Sequence, residues 1–105
     1  MLWMVLLVSL AGASVSWAQT NFTAKTDVTV TSTATLVLAG NAFRYALNCT
    51  NTDAGVHVRW GDSTVTATKG QQLRAGASIE ILSKAPVYMI SEGTDVTVSC
   101  TEETK

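Results

Sequence analysis

The 105 residues carry seven Lys and Arg, eight Asp and Glu, one His and two Cys, and 47% of them are hydrophobic, at a net charge of -1. A chain of this length holds one domain, and its balanced charge excludes an electrostatic grip on nucleic acid or on an anionic membrane surface. One histidine with no ligand-spaced neighbour leaves no metal centre to expect, and no phosphate loop or other motif calls for a cofactor.

The chain opens on an apolar run from Leu2 to Leu10, followed by small residues with Ser16 and Ala18 at the positions that signal peptidase reads. Residues 1–18 therefore have the layout of a secretory signal peptide cleaved after Ala18. No Lys or Arg precedes the run, since the first charged side chain is Lys25. The run is shorter than the roughly 20 residues a membrane-spanning helix needs. The other readings are an uncleaved anchor, with membrane contact only if residues 1–18 are retained, or a hydrophobic arm packed on a partner. Removal predicts a periplasmic or extracellular product; retention fits a component of a larger assembly.

Residues 19–26 read as a flexible, polar lead-in, and residues 27–105 as the folded domain. Asn21-Phe22-Thr23 and Asn48-Cys49-Thr50 are glycosylation sequons, meaningful only in a eukaryotic host.

From Asp27 onward the apolar period is two, the period of a strand. Val28 and Val30 alternate with threonines, and Thr35 to Leu38 forms a second run ended by Ala39-Gly40-Asn41. In the next run Phe43, Tyr45, Leu47 and Cys49 fall on one face and Arg44, Ala46 and Asn48 on the other. After the turn residues Asn51 to Gly55, Val56, Val58 and Trp60 point one way and His57 and Arg59 the other. Gly61-Asp62 suits a tight hairpin that returns as a strand over Thr64 to Thr68. Short strands around Leu73 and Ile79-Ile81 follow, separated by Ala75-Gly76-Ala77. Pro86 marks a strand start or edge. Val87 to Ile90 is apolar on both faces and reads as a central strand. Asp95 to Cys100 closes the domain. About eight short strands with no helical period predict an all-β fold, a small antiparallel β-sandwich or a jelly-roll-like barrel.

Cys49 and Cys100 each end an apolar-alternating run. An even cysteine count in a short exported chain reads as one disulfide, closing a loop of about 50 residues worth on the order of 4 kcal/mol. Two buried thiols are the alternative.

Catalytic residues are not expected. The histidine, His57, sits between two valines on a strand with no base-orienting partner in view. Asp53, Asp62, Glu92 and Asp95 fall in turns, where such groups cap their own backbone. Trp60, in register with Val56 and Val58, reads first as core. The candidate binding surface is Trp60, Arg59, His57 and Tyr88, with a carbohydrate as the ligand were Trp60 or Tyr88 exposed beside a groove.

Several motifs in order carry a resemblance. Arg44-Tyr45-Ala46-Leu47 precedes Asn51-Thr52; Val56-His57-Val58-Arg59-Trp60-Gly61 follows; then come Gly70-Gln71-Gln72-Leu73-Arg74-Ala75-Gly76-Ala77-Ser78-Ile79-Glu80 and Val87-Tyr88-Met89-Ile90-Ser91. From Ala34 to Glu102 the chain resembles small β-sandwich modules in virion accessory proteins of tailed bacteriophages, of the decoration or fibre-base kind. The resemblance implies a non-enzymatic structural module on a virion surface. A capsid or envelope assembly would be its protein partner, or it would self-associate. Residues 1–26 would then be an arm. Set against it is a secreted or periplasmic binding module that recognises carbohydrate or protein.

Overall fold

The computed structural model describes residues 21–104, so the signal-peptide reading of residues 1–18 lies outside the described residues. Nine strands follow in chain order: β1 (Asn21–Ala24), β2 (Val28–Val30), β3 (Thr35–Leu38), β4 (Arg44–Asn51), β5 (Val58–Gly61), β6 (Gln71–Leu73), β7 (Ser78–Ile81), β8 (Val87–Ser91) and β9 (Val96–Thr104). Every paired strand is antiparallel. One sheet has the order β1-β9-β4-β7, with β2 also paired to β9; the other has the order β3-β8-β5-β6. The all-β sandwich expected from the period-two pattern is the observed fold.

The alternation dictates the packing. Leu47 and Cys49 from β4, Val96, Val98 and Cys100 from β9, and Ile81 from β7 face Val37, Val58, Leu73, Val87 and Met89 of the second sheet. Each fully buried aliphatic side chain contributes about 1.5–3 kcal/mol. As its two-sided apolar pattern requires, β8 is a central strand between β3 and β5.

Strands β4 and β9 form the longest pairing, from Arg44↔Thr104 to Asn51↔Val98. Cys49 lies opposite Cys100 within it, and the two are bridged across a sequence separation of 51. The disulfide thus joins neighbouring strands of one sheet and fixes their register at a point that is fully buried on the Cys49 side.

Four expectations change. First, the Phe43-Tyr45-Leu47-Cys49 stripe does not run through. The register shifts between Arg44 and Ala46, a β-bulge, so the alternation changes phase there. Phe43 and Tyr45 are exposed, and Arg44, expected in solvent, is fully buried. Second, Thr64 to Thr68 is not a strand. Asp62 accepts from the Thr64 amide and hydroxyl, and Thr66 and Lys69 exchange backbone hydrogen bonds. These local bonds consume the groups a ladder would use. Third, Gly61-Asp62 is no two-residue hairpin, since β5 rejoins its partner only at Gln71. Gly70 closes that excursion at φ +126, where a Cβ would stand 2.6 Å from Val65 Cγ2 and 2.9 Å from the Trp60 carbonyl oxygen. Fourth, the polar lead-in contains β1. Its four residues are exposed and owe their order to backbone pairing with residues 101–104 of β9.

Removing the bridge in a Cys49→Ala/Cys100→Ala double variant is expected to lower unfolding free energy by about 2–4 kcal/mol, with the β-sheet circular dichroism retained in buffer. Urea titration of both proteins checks this. Gly70→Ala is expected to cost a further ~1–3 kcal/mol, because strain at a positive φ adds to the contact with Val65. The same titration reads it.

Candidate functional site

Of the four residues of the expected binding surface, Arg59 and Tyr88 share one face of the β5–β8 pair and Trp60 takes the other. Strand register puts Arg59 beside Ile90 and Gly61 beside Tyr88, while Trp60 pairs with Met89 on the alternate, core-facing side. Trp60 packs against the core cluster, and its indole N–H is buried without an acceptor. The edge of its ring borders a depression of about 510 Å³ together with Asp62, Thr64, Lys69 and Gln71. Asp62 is held there by Thr64, and Lys69 donates to the Thr64 hydroxyl.

His57 is committed to structure. Its Nδ1 accepts the Ala75 amide at 2.9 Å, and its carbonyl accepts the Glu92 amide at 3.0 Å. Arg59 forms an ion pair with Glu92 at 2.9 Å and donates to the Gly70 carbonyl at 3.1 Å. Gln72 also donates to Glu92 at 2.9 Å. The Gln72 amide and the Arg59 guanidinium hold the Glu92 carboxyl below its ordinary value, against a smaller effect of burial. Asp53 caps the Gly55 and Val56 amides, which hold its carboxyl low. Each of these groups serves a turn or a strand end. Among the described residues no three His, Cys, Asp or Glu side chains are grouped to hold a metal ion.

The densest polar cluster is one that the alternation hid. Arg44 is fully buried. Its Nε donates to the Ser83 carbonyl at 2.7 Å, Nη1 to the Ala39 carbonyl at 3.1 Å, and Nη2 to the Ala85 carbonyl. Nη1 also pairs with Glu102 Oε2 at 3.1 Å, and Lys25 Nζ lies 3.2 Å from Glu102 Oε1. The planar guanidinium suits this work, because it presents five donors in fixed directions. It ties the β3–β4 and β7–β8 connections to β9. Burial would raise the Glu102 carboxyl, but hydrogen bonds from Arg44, Lys25 and Asn41 outweigh it and hold the group below its ordinary value.

A second feature is apolar and exposed. Phe22, Phe43, Tyr45 and Leu82 are between 50% and 74% exposed. Phe22 stands opposite Glu103, which stands opposite Ala46, and Leu82 follows Ile81 at the end of β7. Phe22 and Leu82 thus stand at the two edges of the first sheet, and Phe43 and Tyr45 at the start of β4 between them. That sheet ends in β7 on one side and in β1 and β2 on the other.

A solved structure from Bacillus endospore appendages, described as a novel family of disulfide-linked pili, is similar to this chain. Its TM-score is 0.51 at 20% identity, over 82% of this chain and 88% of that one. At that identity the likeness establishes the sandwich fold. No protein-family model matches the chain, and no curated protein matches it.

Arg44→Ala is expected to cost about 3–5 kcal/mol, since it strands a buried carboxylate and three carbonyls. Arg44→Lys is expected to recover only part of this, having no fork of donors. Acid acts on the same cluster. A carboxyl whose folded pKa is depressed stabilises the fold above its unfolded pKa, and that stability is lost as pH falls through the folded value. The melting temperature is therefore expected to fall as pH drops below about 4.5, the ordinary glutamate value. It is expected to fall less steeply in Glu102→Gln. Thermal melts across pH check both.

Proposed function

We propose that this chain is a non-enzymatic structural subunit of a surface assembly, docking on copies of itself. The observation that carries the proposal is the outer face of the first sheet. Exposed Phe22 sits on β1, at one edge of that sheet, and exposed Leu82 directly follows β7, at the other. Large exposed apolar side chains at a sheet edge suit a protein contact, and an edge strand adds unpaired backbone groups that a second chain can extend. The likeness to a pilus-forming sandwich supports the same reading. The titratable groups agree with it, because His57, Arg59 and Glu92 are engaged in holding turns.

The linkage between copies is non-covalent in this reading. The sequence has two cysteines, and both are in the Cys49–Cys100 bridge. No thiol is left within these residues to join one subunit to the next. That separates this chain from the structurally similar pili, which are described as disulfide-linked.

Export with cleavage after Ala18 is part of the proposal, since an intramolecular bridge is made and kept in an oxidising compartment. The finer virion-accessory reading uses the same docking surface but keeps residues 1–26 as an arm. Sequencing the N-terminus of protein from its native source decides between them: Gln19 supports export, and Met1 supports the arm.

Light scattering of the purified domain is expected to show concentration-dependent association. Boiling in detergent without reductant is expected to release monomer. A Phe22→Lys/Leu82→Lys variant is expected to weaken association at least tenfold, with an unchanged melting temperature because both side chains are exposed. A wild-type protein that stays monomeric at high concentration overturns the reading.

A further inference from the structure

Around Glu102 the fold assembles three groups that together can make a bond. Lys25, Asn41 and Glu102 line one small cavity beneath the β3–β4 connection. The Lys25 ammonium is 3.2 Å from Glu102 Oε1. The Asn41 side chain also hydrogen-bonds the Glu102 carboxylate. The Asn41 Oδ1 accepts the Phe43 amide at 2.9 Å, which leaves its Nδ2 to face the carboxylate. An amine and a carboxamide thus share one acid that is almost wholly buried.

The charges in this cluster do not cancel. Arg44 is fully buried and is held by Glu102 and three carbonyls. The Arg44–Glu102 pair is neutral on its own, so the Lys25 ammonium is a surplus positive charge beside it. Turning the ammonium into an amide would remove that charge and leave the neutral pair intact.

We propose that Lys25 and Asn41 join in an intramolecular isopeptide bond, with Glu102 as the proton carrier. Glu102 takes a proton from Lys25 Nζ. The neutral amine attacks Asn41 Cγ, whose oxygen is held by the Phe43 N–H. The new C–N bond forms as the Cγ–Nδ2 bond breaks, and Glu102 returns its proton to the departing Nδ2. Ammonia leaves and carries off the second proton that Nζ sheds as ammonium. No oxidant, reductant or co-reactant is needed. A buried carboxylate that passes protons between two bound groups acts as an ordinary general acid–base, and holding both reactants in one cavity replaces a bimolecular encounter.

The bond would serve the edge of the sheet. Strand β1 is paired only with β9 and is exposed throughout. Lys25 follows it directly, and its amide bonds the Cys100 carbonyl at 3.0 Å. Asn41 lies in the connection whose amide bonds the Lys84 carbonyl at 2.9 Å. A covalent link would pin the end of the N-terminal strand to the β3–β4 connection, which joins the two sheets. This holds whether or not the chain assembles with copies of itself.

The test is peptide mapping of the full-length protein, folded, then reduced and digested with trypsin. The expected product is a branched peptide joining Lys25 to Asn41, lighter by about 17 Da for the lost ammonia, with no cleavage after Lys25. Lys25→Met is the reference, since that side chain is a third exposed and the fold does not rest on it. It is expected to keep the disulfide and the β-sheet circular dichroism and to give linear peptides alone. Glu102→Gln is expected to give linear peptides too. Because that variant also removes the Arg44 partner, linkage in the wild type is followed after refolding over a series of falling pH, and it is expected to slow as the pH drops through the lowered value of Glu102, below 4.5. Folded wild-type protein with an unmodified Lys25 and an intact Asn41 amide overturns the proposal. So does linkage that proceeds undiminished in folded Glu102→Gln.

Discussion

The pairing of β4 with β9 is the constraint on which the other strands depend. It runs from Arg44↔Thr104 to Asn51↔Val98, and each strand of the first sheet attaches to one of its members: β1 and β2 to β9, β7 to β4. Three fixings of different chemistry hold it. The Cys49–Cys100 bridge sets the register in the middle. Arg44 and Glu102 lock one end by a buried ion pair. At the other end Asn51, also fully buried, donates to the Val56 and Leu73 carbonyls and accepts the Asp53 amide. A one-residue slip would turn the buried row out to solvent, so these fixings protect the core as well as the ladder.

The two buried polar ends also tie the sheets together. Arg44 reaches the carbonyls of Ala39, Ser83 and Ala85, which lie in the connections entering β4 and β8. Asn51 reaches the residues that flank β5 and end β6. A sandwich of this size buries a modest core. Hydrogen bonds at the rims hold the layers where few apolar side chains are available. The same use of polar groups for architecture explains the surface chemistry. Asp53, Asp62, Glu92 and His57 have the residue types of an active site, but each is turned to a backbone amide, a neighbouring hydroxyl or an ion pair. Phe22, Phe43 and Leu82 are the large apolar side chains most exposed on that surface.

The amino-acid sequence alone determined the class of the fold. Period-two alternation, turn clusters at short intervals and the two-sided apolar run from Val87 to Ile90 follow from local chain geometry, and the sheets obey them. The cysteine count permitted one intramolecular bridge, and the bridge is there. Tertiary structure decided what local pattern cannot carry. The bulge between Arg44 and Ala46 shifted the phase of one strand, which buried an arginine and exposed two aromatic rings. Backbone pairing to β9 made a strand of Asn21–Ala24, whose side chains bury nothing. Local hydrogen bonds around Asp62 and Thr66 took Thr64 to Thr68 out of the sheet. Lys25, Arg44 and Glu102 are far apart in sequence, and only the β1–β9–β4 order brings them to one point. The physical reason is the same in each case: alternation reports which side of a strand a residue takes, whereas its partners are set by register, and register is a property of two strands at once.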